Sequence, residues 1–82
     1  RLPRFERPVV VTFDWYEPNL RRDLDNVAGA GQKWVLDGLV AAGVLPDDNM
    51  RHVVGLMHWA HIDPMEPGAI VTITDEIPDK EE

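Results

Sequence analysis

Residues 8–16, Pro-Val-Val-Val-Thr-Phe-Asp-Trp-Tyr, are the stretch that decides the fold. β-Branched and aromatic side chains dominate it, and every second residue from Val9 to Trp15 is apolar. This period of two predicts a β-strand with one buried face. Pro18 ends the strand, because proline has no N–H to donate to a β-ladder.

A helix is predicted after this strand, between residues 26 and 42. Its apolar side chains recur three and four positions apart, which is typical of an amphipathic helix. Asp25 is suited to cap its N-terminus and Gly43 to end it. The segment Gly29-Ala30-Gly31 weakens the front half, since each glycine costs about 1 kcal/mol relative to alanine. We therefore expect regular helix only from about Ala30.

Two further strands are predicted in the C-terminal half. Residues 51–62 are rich in valine, histidine and tryptophan, with apolar side chains in both phases, which indicates a strand covered on two sides or bulged at Gly55. Residues 69–74 alternate again, and we expect these two strands to form an antiparallel pair. The order β-α-β-β predicts a single small α/β domain, a mixed or antiparallel sheet with one main helix on one face.

The length and composition limit the classes of protein. Eighty-two residues hold one core, and the chain has no cysteine for a disulfide or a thiolate zinc site. No apolar run is long enough to span a membrane, and we expect a cytoplasmic protein. The net charge is −7, and residues 75–82 form an acidic tail after a domain of residues 1–74. Because the chain opens on Arg1 rather than Met, we expect a fragment that lacks upstream residues.

Four aspartates are candidates for chemistry. Asp23 and Asp25 stand two apart, so in an extended backbone their carboxylates project to the same side. Asp47 and Asp48 lie in the loop beyond the helix. Helix capping and turn formation explain each pair without any function. If acids from the two pairs converge, they form a hard-oxygen cage for Mg²⁺ or Mn²⁺, since carboxylates so close repel without a cation.

Three ordered blocks of sequence carry a resemblance to a family. They are Arg-Arg-Asp-Leu-Asp-Asn at 21–26, Lys-Trp-Val-Leu-Asp-Gly-Leu at 33–39, and Ala-Gly-Val-Leu-Pro-Asp-Asp at 42–48. Together they resemble the motifs of the RusA-type Holliday junction resolvases, and the resemblance spans about residues 9–74. It implies a homodimeric, Mg²⁺- or Mn²⁺-dependent endodeoxyribonuclease that resolves four-way and other branched DNA in bacterial or phage-infected cells.

The resemblance also implies roles for individual residues. It assigns the metal ligands to Asp23, Asp25 and Asp48, and an active-site lysine that offsets charge on the phosphate to Lys33. Arg21 and Arg22 flank the acids and are suited to neighbouring phosphates, which they would position without reading bases. Two solvated arginines on a loop are the simpler interpretation of the same pair.

Two features depart from the family pattern. Shorter members place the lysine one helical turn nearer the Asp-x-Asp motif, and four extra residues of continuous helix add about 6 Å along its axis. Lys33 then reaches the metals only if residues 29–31 are irregular. The family also has a strand and a helix upstream of the first strand seen here.

Two rival interpretations remain open. One is a non-catalytic module that binds nucleic acid or protein on the same scaffold, and the other is an acidic decoy that imitates DNA. His58 and His61 are three apart in a predicted strand and point to opposite faces, which favours structural histidines over a zinc site. Trp34 and Trp59 occupy apolar positions, so we expect them in the core.

Overall fold

The computed structural model describes residues 2–77. The predicted acidic tail at 75–82 therefore lies mostly outside the described residues, as does Arg1. The elements are β1 (Val9–Glu17), α1 (Leu24–Ala41), β2 (Val53–Ile62) and β3 (Gly68–Thr74), in the predicted order β-α-β-β. They form a small α/β domain with a three-stranded mixed sheet and one helix.

Strand β1 lies in the middle of the sheet, whose order is β2-β1-β3. The alternation of residues 8–16 has the predicted effect, because Val9, Val11 and Phe13 are completely buried. They face α1 and form the core with the other buried apolar side chains, which are Trp15, Val27, Leu36, Val44, Leu45 and Val53.

The predicted antiparallel pairing of the two C-terminal strands is wrong. Strand β2 pairs parallel with β1, and β3 pairs antiparallel with the other edge of β1. Helix α1 returns the chain so that β2 runs beside β1 in the same direction, as in a βαβ unit. The connection at 63–67 then crosses the end of β1, where the Asp63 amide donates to the Glu17 carbonyl at 2.8 Å. The most apolar strand, β1, is central because only in that position do both of its edges form backbone hydrogen bonds with a neighbouring strand.

The bulge predicted near Gly55 is present. Val9 pairs with Val53 and Val10 pairs with Gly55, so Val54 is the extra residue in β2. The other part of that prediction, a strand covered on two sides, is wrong. Helix α1 covers one face of the sheet, and Met57 and Trp59 on the opposite face are about half exposed.

Helix α1 begins earlier than predicted. It is continuous from Leu24, and the residue at its N-cap is Asp23 rather than Asp25. The glycines do not break it, because packing outweighs their low helix propensity. A Cβ atom at Gly31 would lie 2.9 Å or less from ring atoms of Trp15, so glycine lets that indole lie against the helix backbone.

The C-terminus of α1 is formed as predicted. Gly43 has φ +81°, a left-handed conformation that glycine adopts without steric cost. Its amide donates to the Val40 carbonyl at 3.0 Å, and the Val44 amide donates to the Leu39 carbonyl at 2.9 Å. These two bonds are those of a Schellman motif. They turn the chain so that Val44 and Leu45 enter the core.

The described part of the chain contains no helix that is both long and apolar enough to cross a membrane.

Candidate functional site

Asp23 and Asp25 lie at the N-terminus of α1, exposed to solvent. The Asp23 carbonyl accepts the amides of Asn26 and Val27 at 3.1 and 3.2 Å, but its carboxylate makes no capping bond. The Asp25 side chain lies in the first turn, where negative charge is favoured by the helix dipole. Both carboxylates are therefore held by the backbone at one end of the helix and remain accessible.

Asp48 is positioned by the loop that follows α1. Buried Leu45 anchors the start of the loop. The Asp47 carboxylate accepts the Asp48 amide at 2.7 Å and a bond from the Asn49 side-chain amide at 3.3 Å. Asn49 in turn accepts the amide of Arg51 at 3.0 Å. These local bonds explain why Asp47 is a turn-forming residue, and they leave the Asp48 carboxylate to face the helix.

Lys33, on α1, contacts the loop that follows the helix. Its Nζ atom lies 3.0 Å from an oxygen of Asp37, one turn further along α1, and 3.5 Å from an oxygen of Asp48. The bond and charge of Asp37, followed by the charge of Asp48, raise the pKa of Lys33, so its ammonium stays protonated across the neutral range. Two motif residues, fifteen positions apart, are thus brought together.

Asp23 and Asp25 lie at the N-terminus of α1, away from the contact between Lys33 and Asp48. Helix α1 is continuous from Leu24 through Lys33, and the eight residues from Asp25 to Lys33 span about 12 Å of helix axis. Among residues 2–77, no three histidine or acidic side chains form a group able to hold a metal ion. The structure therefore brings Asp48 to Lys33 but does not gather Asp23, Asp25 and Asp48 into a closed cage.

Arg21 and Arg22 lie in the exposed connector before α1. The Arg21 amide donates to the side chain of Asn19 at 2.9 Å, which shapes the turn. The Arg22 guanidinium lies 3.5 Å from the carboxylate of Glu17, which is mostly buried. Arg22 is thus fixed loosely at the end of β1, whereas the guanidinium of Arg21 makes no ion pair within the described chain.

Comparison of the chain with protein-family models, with curated proteins and with solved structures finds no match. The likeness to the RusA-type resolvases is therefore carried by the three motif blocks alone.

A cluster around His58 was missed by the sequence reasoning. The Trp15 indole donates its Nε1–H to Nδ1 of His58 at 2.9 Å, and Nε2 of His58 lies 2.6 Å from the Gln32 side-chain oxygen. The ring also stacks on Phe13, with centroids 4.7 Å apart. Burial lowers the pKa of His58. The bonded pattern needs a neutral ring that accepts at Nδ1 and donates at Nε2.

His61 lies on the opposite face of β2, as its spacing from His58 predicts. Its Nε2 atom is 2.8 Å from the Asp14 carboxylate, and its ring stacks on Tyr16 at 4.5 Å. The two histidines thus serve separate faces of the sheet. The alternation of side chains along a strand predicts that the two histidines lie on opposite faces. It does not predict their partners, because these lie on β1 and α1, far away in the sequence.

Proposed function

We propose that this chain is the nuclease domain of a metal-dependent endonuclease of the RusA type, which cuts four-way and other branched DNA. The contact between Lys33 and Asp48 carries the proposal. These residues belong to two different motif blocks and have no reason in local sequence to meet. Such a nuclease would act in the cytoplasm, as a homodimer that presents two sites to two strands of a junction.

The donor chemistry supports a divalent ion, although the open arrangement does not by itself form a cage. Carboxylate oxygens are the ligands that Mg²⁺ and Mn²⁺ prefer. Asp23 and Asp25 are exposed, and Asp48 is about one-third exposed, so all three are accessible to an ion. When bound, the ion would activate water and stabilise the oxygens of an in-line phosphodiester hydrolysis.

The chain's own cations would act on the phosphate. Lys33 is held protonated and close to Asp48, so its ammonium would offset negative charge on a phosphate bound beside Asp48; about 12 Å of continuous helix separates it from Asp25. Arg21 and Arg22 would bind neighbouring phosphates and set the position of the strand. Asp23 and Asp25, at the end of the same helix, would hold the metal.

A second candidate function is a non-catalytic binding module on the same scaffold. The observation that favours it is the lack of a three-acid group within residues 2–77. In that case Asp37 and Asp48 act only as surface partners of Lys33.

Cleavage of a synthetic four-way junction in Mg²⁺ or Mn²⁺ tests the proposal. We expect cleavage by the parent chain and at least a 100-fold loss in Asp48→Asn, because a neutral amide is a poor ligand for these ions. Asp47→Asn is the matched control: it removes the same charge from the same loop, keeps a side-chain oxygen for the Asp48 amide, and should cut like the parent. A parent chain that binds junctions without cutting them would favour the binding module.

A further inference from the structure

Strand β3 forms one outer edge of the sheet. It pairs with β1 in unbroken register, and no other strand among residues 2–77 pairs with its outer side. Residues 68–74 contain neither a charged side chain nor proline. Soluble proteins normally protect an edge strand with charge, proline or a bulge, because its free N–H and C=O groups are a template for another strand. The outer edge of β3 is therefore open to strand addition.

The opposite edge of the sheet is formed by β2 and is less suitable for this. The bulge at Val54 lies near the start of β2, and a bulge bends its strand and increases its twist. Such distortion is one of the ways in which an edge strand is kept from pairing. An added strand therefore fits β3 better than β2.

A groove lies beside the first residues of β3, on the face of the sheet that α1 covers. Its volume is about 580 Å³, and its walls include Trp15, Ala30 and Ala69. Trp34 also lines it with 80% of its surface exposed, which contradicts the prediction that Trp34 belongs to the core. Ala69 pairs with Trp15, so its side chain lies on this face. An apolar side chain placed next to Ala69 by an added strand would enter the groove.

A second recess lies on the opposite face and is acidic. It has a volume of about 540 Å³ and is lined by Asp63, Glu66 and Ile70 among others. The sequence from residue 52 to residue 77 contains four acids and no lysine or arginine. The acids stand before and after β3, and they are Asp63, Glu66, Asp75 and Glu76. Side chains that an added strand directs to this face would therefore meet negative charge.

These charges favour a basic strand over nucleic acid or a second copy of this chain. A polyanion needs unpaired cations, and residues 52–77 supply none. Two copies of β3 paired antiparallel about a two-fold axis would bring the start of one strand beside the end of the other. The acids at 63 and 66 would then lie near those at 75 and 76, and like charges across neighbouring strands are destabilising. A strand that carries lysine or arginine is attracted instead.

We propose that the outer edge of β3 binds an extended segment of a partner protein as an added strand, in which lysine or arginine alternates with large apolar residues. Successive side chains of a strand point to opposite faces, so the apolar ones would enter the groove beside Ala69 and the basic ones would lie against Asp63 and Glu66. Main-chain hydrogen bonds with β3 would supply affinity, and the two recesses would supply specificity. The inference goes beyond the proposed function. The residues that carry it have no role in the proposed nuclease site, so either proposal can fail without the other.

A fluorescein-labelled synthetic peptide, Lys-Val-Lys-Phe-Lys-Val-Lys, tests the inference by fluorescence anisotropy with the full chain. We expect a Kd of roughly 10–100 µM, since a short segment loses conformational entropy when it is ordered on binding. The control peptide, Lys-Lys-Val-Phe-Val-Lys-Lys, has the same composition but directs its valines to the face that should carry lysines. It should bind about 10-fold more weakly or worse, because specificity depends on alternation. Equal affinity for the two peptides would show charge attraction alone and overturn the inference.

Variants of the chain test the groove. Ala30→Gln narrows the groove from an exposed helix position with an uncharged side chain of good helix propensity. It should raise the Kd of the alternating peptide about 10-fold or more, because the apolar side chain loses its place. Ala41→Gln is the matched control, the same substitution at an exposed position of the same helix outside the groove. Equal affinity of the two variants would contradict the use of the groove.

A double variant tests the acidic recess. Asp63→Asn with Glu66→Gln removes both charges and keeps the side-chain oxygen of residue 63, which accepts the amides of residues 65 and 66. It should raise the Kd about 5-fold or more, through the loss of charge complementarity. Asp47→Asn removes one exposed carboxylate from the loop after α1 and should bind like the parent. An unchanged far-ultraviolet circular dichroism spectrum shows that each variant is folded.

Amide hydrogen exchange followed by NMR identifies the edge that binds. The bound peptide should slow exchange in β3 and leave β2 unchanged, because main-chain hydrogen bonds form only along the paired edge. Slower exchange in β2 alone would place the peptide on the other edge and overturn the inference. A peptide-free chain that sediments as a dimer with the outer amides of β3 already protected would also overturn it, since a second copy would then occupy this edge.

Discussion

The indole of Trp15 in β1 and the imidazole of His58 in β2 are joined by a hydrogen bond of 2.9 Å, on the face of the sheet that α1 covers. Because the indole can only donate, Nδ1 of His58 must accept. The side-chain oxygen of Gln32 in α1 accepts a hydrogen bond from the other ring nitrogen, Nε2. The bond therefore links both strands and the helix through one neutral histidine.

This linkage predicts a loss of stability in acid. Protonated His58 would carry N–H groups at both nitrogens and could not accept from Trp15. The pKa of His58 is lowered from 6.5 in the folded chain by burial, so the unfolded state binds the proton more readily. Stability is therefore full above pH 6.5 and falls as the pH drops below it. The groups packed on the ring, Phe13, Trp15 and Gln32, do not titrate in this range.

Urea unfolding at pH 7.5, 6.5 and 5.5 measures this effect. The free energy of unfolding should fall over this interval in the parent chain and change less in His58→Gln. An equal fall in both chains would show that His58 is not responsible.

The two glycines early in α1 should respond oppositely to alanine. A Cβ at Gly29 meets nothing within 4 Å, whereas one at Gly31 overlaps the Trp15 ring. Gly29→Ala should raise the free energy of unfolding by up to about 1 kcal/mol, through better helix propensity. Gly31→Ala should lower it by roughly 1–3 kcal/mol, through overpacking. Chemical denaturation followed by circular dichroism distinguishes them, and equal effects would contradict the close approach of Trp15.

Gly43 should tolerate asparagine better than alanine. Its φ of +81° is costly for a residue with a Cβ, by about 1–2 kcal/mol, and asparagine is the side chain that most often replaces glycine there. Gly43→Ala should therefore lower the free energy of unfolding more than Gly43→Asn. The same denaturation measurement checks the ranking, and a neutral Gly43→Ala would argue against the Schellman motif.

Lys33→Met should separate stability from activity. The ammonium is mostly exposed, and exposed ion pairs contribute little to folding, so the unfolding midpoint should hardly move. If the nuclease proposal is correct, junction cleavage should fall at least 100-fold, since no cation remains beside Asp48. Arg51→Met, in the same region but outside the motif blocks, should retain cleavage. Full activity in Lys33→Met would remove the lysine from the proposed site.

Manganese binding can be tested without any measurement of catalysis. In a nitrogen-15 NMR spectrum, low Mn²⁺ should broaden the amide signals of Asp23, Asp25 and Asp48 before those of other acids, because the paramagnetic ion acts at short range. Glu66, an exposed acid in the connection between β2 and β3, serves as the reference. Broadening that is no stronger at the three aspartates than at Glu66 would argue against a metal site there.

Local patterns in the sequence were sufficient for a large part of the fold. The alternation of residues 8–16 predicted the buried face of β1, and the spacing of apolar residues predicted α1 and its end at Gly43. The spacing of His58 and His61 also predicted their opposite faces. Each of these features depends on the periodicity of one element, which the sequence displays directly.

The candidate site could be predicted only in part. The motif blocks named Asp23, Asp25, Lys33 and Asp48, but the contact of Lys33 with Asp48 depends on how the loop after α1 folds back on the helix. The prediction that regular helix starts only near Ala30 was wrong, since α1 is continuous from Leu24 and Trp15 packs against Gly31. The contact between Trp15 and Gly31 joins β1 to α1, and the helix propensity of the residues around Gly31 does not predict it.

By itself, the sequence determined which segments form strands and a helix, which face of β1 is apolar and where the helix stops. Only the tertiary structure decided that β3 pairs with β1 rather than β2, that Trp34 and Trp59 lie in solvent, and that His58 is held between Trp15 and Gln32. The physical reason is that periodicity shows how apolar a face is, whereas strand order, register and exposure depend on which distant element packs against it.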